Sequence, residues 1–417
     1  VIDGTKIKYF RQKNKISQKE LAQGICSISY LSKIESNSSI PSEEILTLLC
    51  KRLGVPRNIL EDPEKLKEQF YTEIEEINNK IHCNGDPNLI YEFEEMLCKY
   101  ERLQGPNIDL LIYLFYLRIY LRVNNRKKAT EYYQKVQSLE SYIDSFSSKY
   151  YYSFCGLYHY LYGNLEIALS MYEMADKYRV EDKENILYEL ALVNSALGKV
   201  TNSISYVLKS LRIYTEKLDF KMCVNCNLLL GINYRKSGEL NKSKHIFSQL
   251  LSKLDKTKDF NLLSKIYHNL GLTLLNLNEN KTALCNFKKS LEFKPDHQKI
   301  NTINLIVKSL LKERRLTEAL EWLAKAQRLL DDSDNIELSI KLEVSKYFAL
   351  KMEHSEEFIE FLTQKAIPFF KNKSDQDTVT EYTIYLAEAY EKRAKYKQAY
   401  LTIKDVSNIF PIYNIKI

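Results

Sequence analysis

Side chains that could do chemistry are scattered thinly along this chain of 417 residues. The six histidines stand at 82, 159, 245, 268, 297 and 354, and the chain has no HExxH pair, no Gly-rich phosphate loop and no nucleophile elbow. Cys223 and Cys226, in MCVNCN, have the spacing of half a zinc site or of a redox motif. No second pair accompanies them, and their flanks read as helix, so core packing is the expected role. The other cysteines, at 26, 50, 83, 98, 155 and 285, lie mostly on apolar helix faces; this suits a reducing cytoplasm, not a disulfide framework. No catalytic residue, metal or cofactor is expected, and an enzyme is the least supported class.

The chemistry that the sequence does offer is recognition of a polyanion. Residues 1–60 hold ten Lys and Arg against five Asp and Glu, whereas the remaining 357 residues hold 51 against 49. Most of the net charge of +7 therefore sits in the first seventh of the chain. Within it, SQKELAQGICSISYLSKIESN at 17–37 predicts two short helices with a tight polar joint. Ser17 and Glu20 form a capping box, Leu21, Ala22 and Ile25 give the first inner stripe, and Ser27 caps a second helix whose inner stripe is Leu31 and Ile34. That leaves Ser27, Ile28, Ser29, Tyr30 and Lys33 to face base edges, with Arg11, Lys13 and Gln18 near phosphates. Ile7 and Phe10 mark a helix before this pair. Ser42 caps EEILTLLCKRLG, which Gly54 ends, and PRNIL adds a fifth helix.

Over residues 5–60 this pattern resembles the Xre/Cro/C1-type helix-turn-helix domain. It departs from the common form at Cys26, where a turn glycine is usual, and in a turn about one residue shorter. The resemblance implies binding to double-stranded operator DNA.

Beyond residue 62 the chain reads as long amphipathic helices in pairs, repeating every 34–40 residues or so. The fold class expected is all-α: a five-helix domain at 1–61, a linker helix at 62–82, and an array over 64–417 of about nine helix pairs in a right-handed superhelix. SKIYHNLGLTLLNLNENKTALCNFKKSLEFKP, 264–295, resembles the tetratricopeptide consensus at Tyr267, Leu270, Gly271, Ala283, Phe287 and Pro295. Looser units begin near 149 and 224, and the stretch 335–372 fits poorly. The longest apolar run, LLIYLFYL at 110–117, stops at Arg118, short of the ~20 residues needed to cross a bilayer. Neither a membrane span nor a secretory leader is expected.

In such an array the first helix of each pair lines a concave groove. The repeat register directs Tyr150, Glu189, Arg235, Lys265, His268, Asn269, Asn304 and Lys308 toward it, and the asparagines offer both a donor and an acceptor to a peptide backbone. The aromatic stretch KYYYSFCGLYHYLYG at 149–163 reads mainly as core.

In this order the two parts resemble the RRNPP family of cytoplasmic peptide-pheromone receptors, most of all its NprR- and PlcR-like regulators. The resemblance implies a homodimeric or higher-order regulator that binds operator DNA and is switched by a short imported signalling peptide. The alternative is a Rap-like adaptor whose repeats sequester a response regulator or another protein.

Overall fold

The computed structural model describes residues 2–60, 64–83, 88–101, 103–178, 183–254, 259–331, 335–373 and 375–407. The side chains of His82, Cys83 and His297 lie outside it, as do residues 62–63 of the expected linker and 408–417 of the expected array. Its regular elements are helices, in two compact units, Val1–Glu216 and Lys217–Ile417.

The first unit opens with α1 (Gly4–Lys13), α2 (Gln18–Ala22), α3 (Ile28–Glu35), α4 (Glu43–Leu53) and α5 (Arg57–Leu60). The serines set the starts. Ser17 and Glu20 form the reciprocal box, Ser27 accepts from the Tyr30 amide and Ser42 from the Ile45 amide. The joint between α2 and α3 turns at Gly24, whose φ of +72° is the left-handed conformation that a Cβ would strain. Arg52 of α4 donates to the Leu21 carbonyl at 3.1 Å, satisfying part of the bare end of α2. Ile7, Phe10, Leu21, Leu31, Ile34, Leu46, Leu49, Leu53 and Leu60 close the core between the five helices.

This core does not stop at residue 61. It runs without a break into Phe70, Ile74, Phe93, Leu111, Phe115 and Phe154 of the helices that follow. The compact boundary near 216 thus differs from the boundary in sequence pattern near 61, because the helix Glu64–Cys83 and its neighbours share one apolar interior with the basic domain.

Among the described residues, nine helix pairs follow the basic domain, four in the first unit and five in the second. A spacing of sixteen residues recurs inside them. A Cβ placed on Gly156 would lie 2.8 Å from the Tyr172 ring, one on Gly231 2.7 Å from Phe247, and one on Gly271 2.6 Å from Phe287. Each glycine lets the ring of its pair's second helix press against its backbone. The crossing is also polar where it can be: Ser203 donates to the Ala191 carbonyl at 2.6 Å and Ser243 to the Gly231 carbonyl at 2.8 Å. The poorly matching stretch has a physical cause. After the helix Ile336–Ala349, the second member of the pair is broken by a π-turn at Leu362–Ala366, where the Ile367 amide reaches back to the Leu362 carbonyl. Pro368 follows, and its ring and missing N–H spoil the regular ladder there.

Candidate functional site

The polar face of α3 is built as the sequence suggests. Leu31 and Ile34 point inward, whereas Ser27, Ile28, Ser29 and Lys33 are exposed and Tyr30 is half-buried. Tyr30 is also a brace, since its hydroxyl donates to the Ile40 carbonyl at 3.2 Å and ties α3 to the loop before α4.

Two of the residues expected near phosphates do other work. Arg11 is buried, and its guanidinium forks onto Glu35 with Nε–Oε1 2.6 Å and Nη2–Oε2 3.0 Å. Gln18 donates to the same carboxylate at 2.8 Å, so one buried Glu35 locks α1, α2 and α3 together. The pair raises the Arg11 pKa further, chiefly through the hydrogen bond that Arg11 donates to Glu35. Arg11 is therefore corrected from a phosphate contact to a positioning residue. Glu35 gave a sequence signal: a carboxylate next to Ile34 on an inward stripe needs a buried cation. Lys13 is exposed, but its ammonium lies 3.8 Å from Asp109 and 5.4 Å from the centre of the Tyr9 ring. The Tyr9 hydroxyl also donates to Asp109, and Tyr142 donates to Gln12 at 3.1 Å. These contacts fasten α1 to the helix Pro106–Arg122 and the turn at Glu140–Tyr142, and nothing in the spacing of residues 9 and 109 foretold them.

The residues expected in a groove fall in both units. In the first, Tyr150 is 1% exposed and packed edge-on against Phe115 at 5.1 Å, which makes it a core residue, contrary to expectation. Glu189 is half-buried and accepts from Ser153 at 3.2 Å.

In the second unit, Asn304 is 6% exposed and accepts from Ser345 at 2.7 Å, and Lys308 pairs with Glu381 at 2.6 Å, with Tyr385 on the same carboxylate. Asn304 is thus an internal clasp between repeats, which corrects its expected place on an open groove; Lys308 is half-buried and is held by Glu381. Asn269 is half-buried and spends one N–H on the Lys265 carbonyl at 2.9 Å, while Lys265 itself is exposed. His268 and Arg235 share a polar cluster with Lys294, which the sequence reading missed. The Lys294 ammonium donates to Thr302 at 2.6 Å and lies 3.3 Å from His268 Nδ1. Burial pushes the His268 pKa down to about 3, with Lys294 and Arg235 adding repulsion, and burial holds Lys294 at about 8. Lys294 carried no motif of its own; it stands beside Pro295 at the end of a repeat, and only folding brings it to His268.

Among the described residues no group of histidines, cysteines and carboxylates is placed to hold a metal ion; Cys223 is half-buried and Cys226 fully buried in the helix Phe220–Lys236. No helix of the described residues is long and apolar enough to cross a membrane.

An exposed polar recognition helix on a rigid five-helix domain, followed by stacked helix pairs, defines the class of repeat-bearing helix-turn-helix proteins. Residues 7–60 match the Helix-turn-helix family and residues 264–297 the Tetratricopeptide repeat family. The transcriptional activator NprA of Geobacillus stearothermophilus is 30% identical over 410 residues, which are 93% of this chain and all of that protein. Two solved structures share the fold. A Rap protein complexed with Competence and Sporulation Factor superposes with a TM-score of 0.72 at 16% identity, over 82% of this chain and 98% of that one. NprR in complex with its cognate peptide NprX superposes at 0.65 and 17% identity, over 82% and 99%. The chain belongs to the RRNPP family.

Proposed function

We propose that this chain is a transcriptional regulator of the cytoplasm, without catalytic activity of its own, that binds operator DNA through residues 1–61 and is switched by a short imported signalling peptide held by its repeats. The observation that carries the DNA reading is the α3 face. Ile28, Ser29 and Lys33 are exposed on a helix whose inner side is fixed by Leu31, Ile34 and the Arg11–Glu35–Gln18 lock. A helix presented rigidly in this way enters a major groove with its N-terminal residues at base edges. NprA, similar over its whole length, is named a transcriptional activator, and the helix-turn-helix match at 7–60 favours DNA over a Rap-like protein partner. NprR, similar in fold, is named with a peptide bound.

In this reading the segment 62–82 joins the two functions, and the protein acts as a homodimer, since one such domain makes too few contacts for useful affinity. The experiment is an electrophoretic shift with DNA from upstream of the chain's own gene. Wild-type protein is expected to shift a discrete fragment that a chain starting at residue 64 does not shift. A shift retained by that truncated chain would refute the assignment.

A further inference from the structure

Helices of the second unit bring several cationic and polar donors together. Arg235 and Lys236 end the helix Phe220–Lys236, His268 lies on Phe260–Asn276, Lys294 follows Asn280–Glu292, and Thr302 lies on Asp296–Lys312. An ammonium only donates, so the Thr302 oxygen accepts from Lys294 at 2.6 Å, and His268 Nδ1 lies 3.0 Å from the same oxygen and 3.3 Å from the ammonium. An Nδ1 that faces the Lys294 ammonium suits the neutral tautomer with its N–H on Nε2. Burial and the neighbouring cations keep it neutral, as its lowered pKa reflects.

Lys294 is half-buried and its partners, Thr302 and His268, carry no negative charge. The Arg235 Nε is buried without a hydrogen-bond partner. The carboxylate whose charge reaches Arg235 and Lys236 is Asp377, which is exposed. Among the described residues, Lys294 is paired only with neutral groups and the Arg235 Nε has no partner; a buried orphan donor and a charge so paired are costly unless something completes them.

We propose that Arg235, His268 and Lys294 form a subsite for a carboxylate of the bound peptide. The inference rests on the peptide-binding reading above. A carboxylate is acceptor-only, supplies the missing negative charge, and can take bonds from guanidinium and ammonium together. A short peptide carries such a group in two places, its C-terminus and any Asp or Glu side chain, and the subsite accepts the same chemistry from either.

The test uses the full chain and a pool of random heptapeptides, half made as C-terminal acids and half as C-terminal amides, with the retained fraction read by mass spectrometry. Recognition of the C-terminus predicts acids enriched over amides by about tenfold or more. Recognition of a side chain predicts equal acids and amides but a single position enriched in Asp or Glu. Either enrichment should collapse in Lys294→Met and in Arg235→Gln. The inference is overturned if the wild-type chain retains peptides without either enrichment, or if enrichment persists in both variants. If nothing is retained at all, the peptide reading itself fails and the subsite with it; the composition of a retained pool separates the two failures.

Discussion

Glu35 holds the exposed face of α3 in place without lying on it. Its carboxylate accepts from Arg11 at 2.6 and 3.0 Å and from Gln18 at 2.8 Å, and it is 4% exposed. Breaking a buried pair leaves a desolvated charge without its partner, so Arg11→Ala should cost about 3 kcal/mol in urea unfolding of the first unit. Arg11→Lys should recover only part, because an ammonium cannot fork. Lys294 makes a prediction of the opposite kind. Its ammonium titrates at about 8, below the ordinary 10.5, because burial penalises the charge. Between those values the unfolded chain binds more protons than the folded one, so the contribution of Lys294 to stability rises as the pH climbs from 8 to 10.5. Urea unfolding at pH 8 and pH 10 should show this rise in the wild-type protein, and Lys294→Met should lack it. At this scale the sequence was a partial guide. It exposed Ile28, Ser29 and Lys33, whose outward place follows from helical periodicity. It misplaced Arg11, Tyr150 and Asn304, since a polar side chain on a helix does not announce whether its partner is solvent or a residue tens of positions away.

Elements were far more legible than side-chain partners, because caps and small-residue spacings are local. Ser17, Ser27 and Ser42 stand at the starts of α2, α3 and α4, and Gly54 closes α4. The signature positions of 264–295 lie at the crossing they imply, with Gly271 under the Phe287 ring. There the side chain has nowhere to go. Gly271→Ala should therefore destabilise the second unit by roughly 1–3 kcal/mol, and Phe287→Leu in the same chain should relieve part of that cost, as thermal unfolding of the two variants would show. The π-turn at Leu362–Ala366 was legible only as a failure of the repeat pattern at 335–372. Pro368 was visible in the sequence, but whether a proline ends a helix or bends it depends on what the flanking turns pack against.

The whole molecule joins a helix-turn-helix domain and a tetratricopeptide-like array, and the sequence order of the two was enough to suggest both. The docking of α1 through Tyr9, Gln12 and Lys13 onto Asp109 and Tyr142 was beyond its reach, being a contact between segments a hundred residues apart. As a homodimer the regulator should read two half-sites about 34 Å apart, or a multiple of that, on one face of the duplex. Light scattering is expected to give twice the chain mass of 49.1 kDa for the free protein, and that value plus the mass of the duplex when operator DNA is bound.

The claim on which all of this turns is that α3 reads DNA sequence. Selection of sheared genomic fragments by the purified chain, followed by sequencing of what is bound, tests it most directly. Wild-type protein should enrich a discrete set of fragments sharing a two-fold symmetric site. The variant Ile28→Ala with Lys33→Ala, whose changes lie on the exposed face and leave the core untouched, should lose that enrichment while unfolding at the same urea concentration. Enrichment of no common site by the wild-type chain, or the same site recovered equally by the variant, would contradict the account.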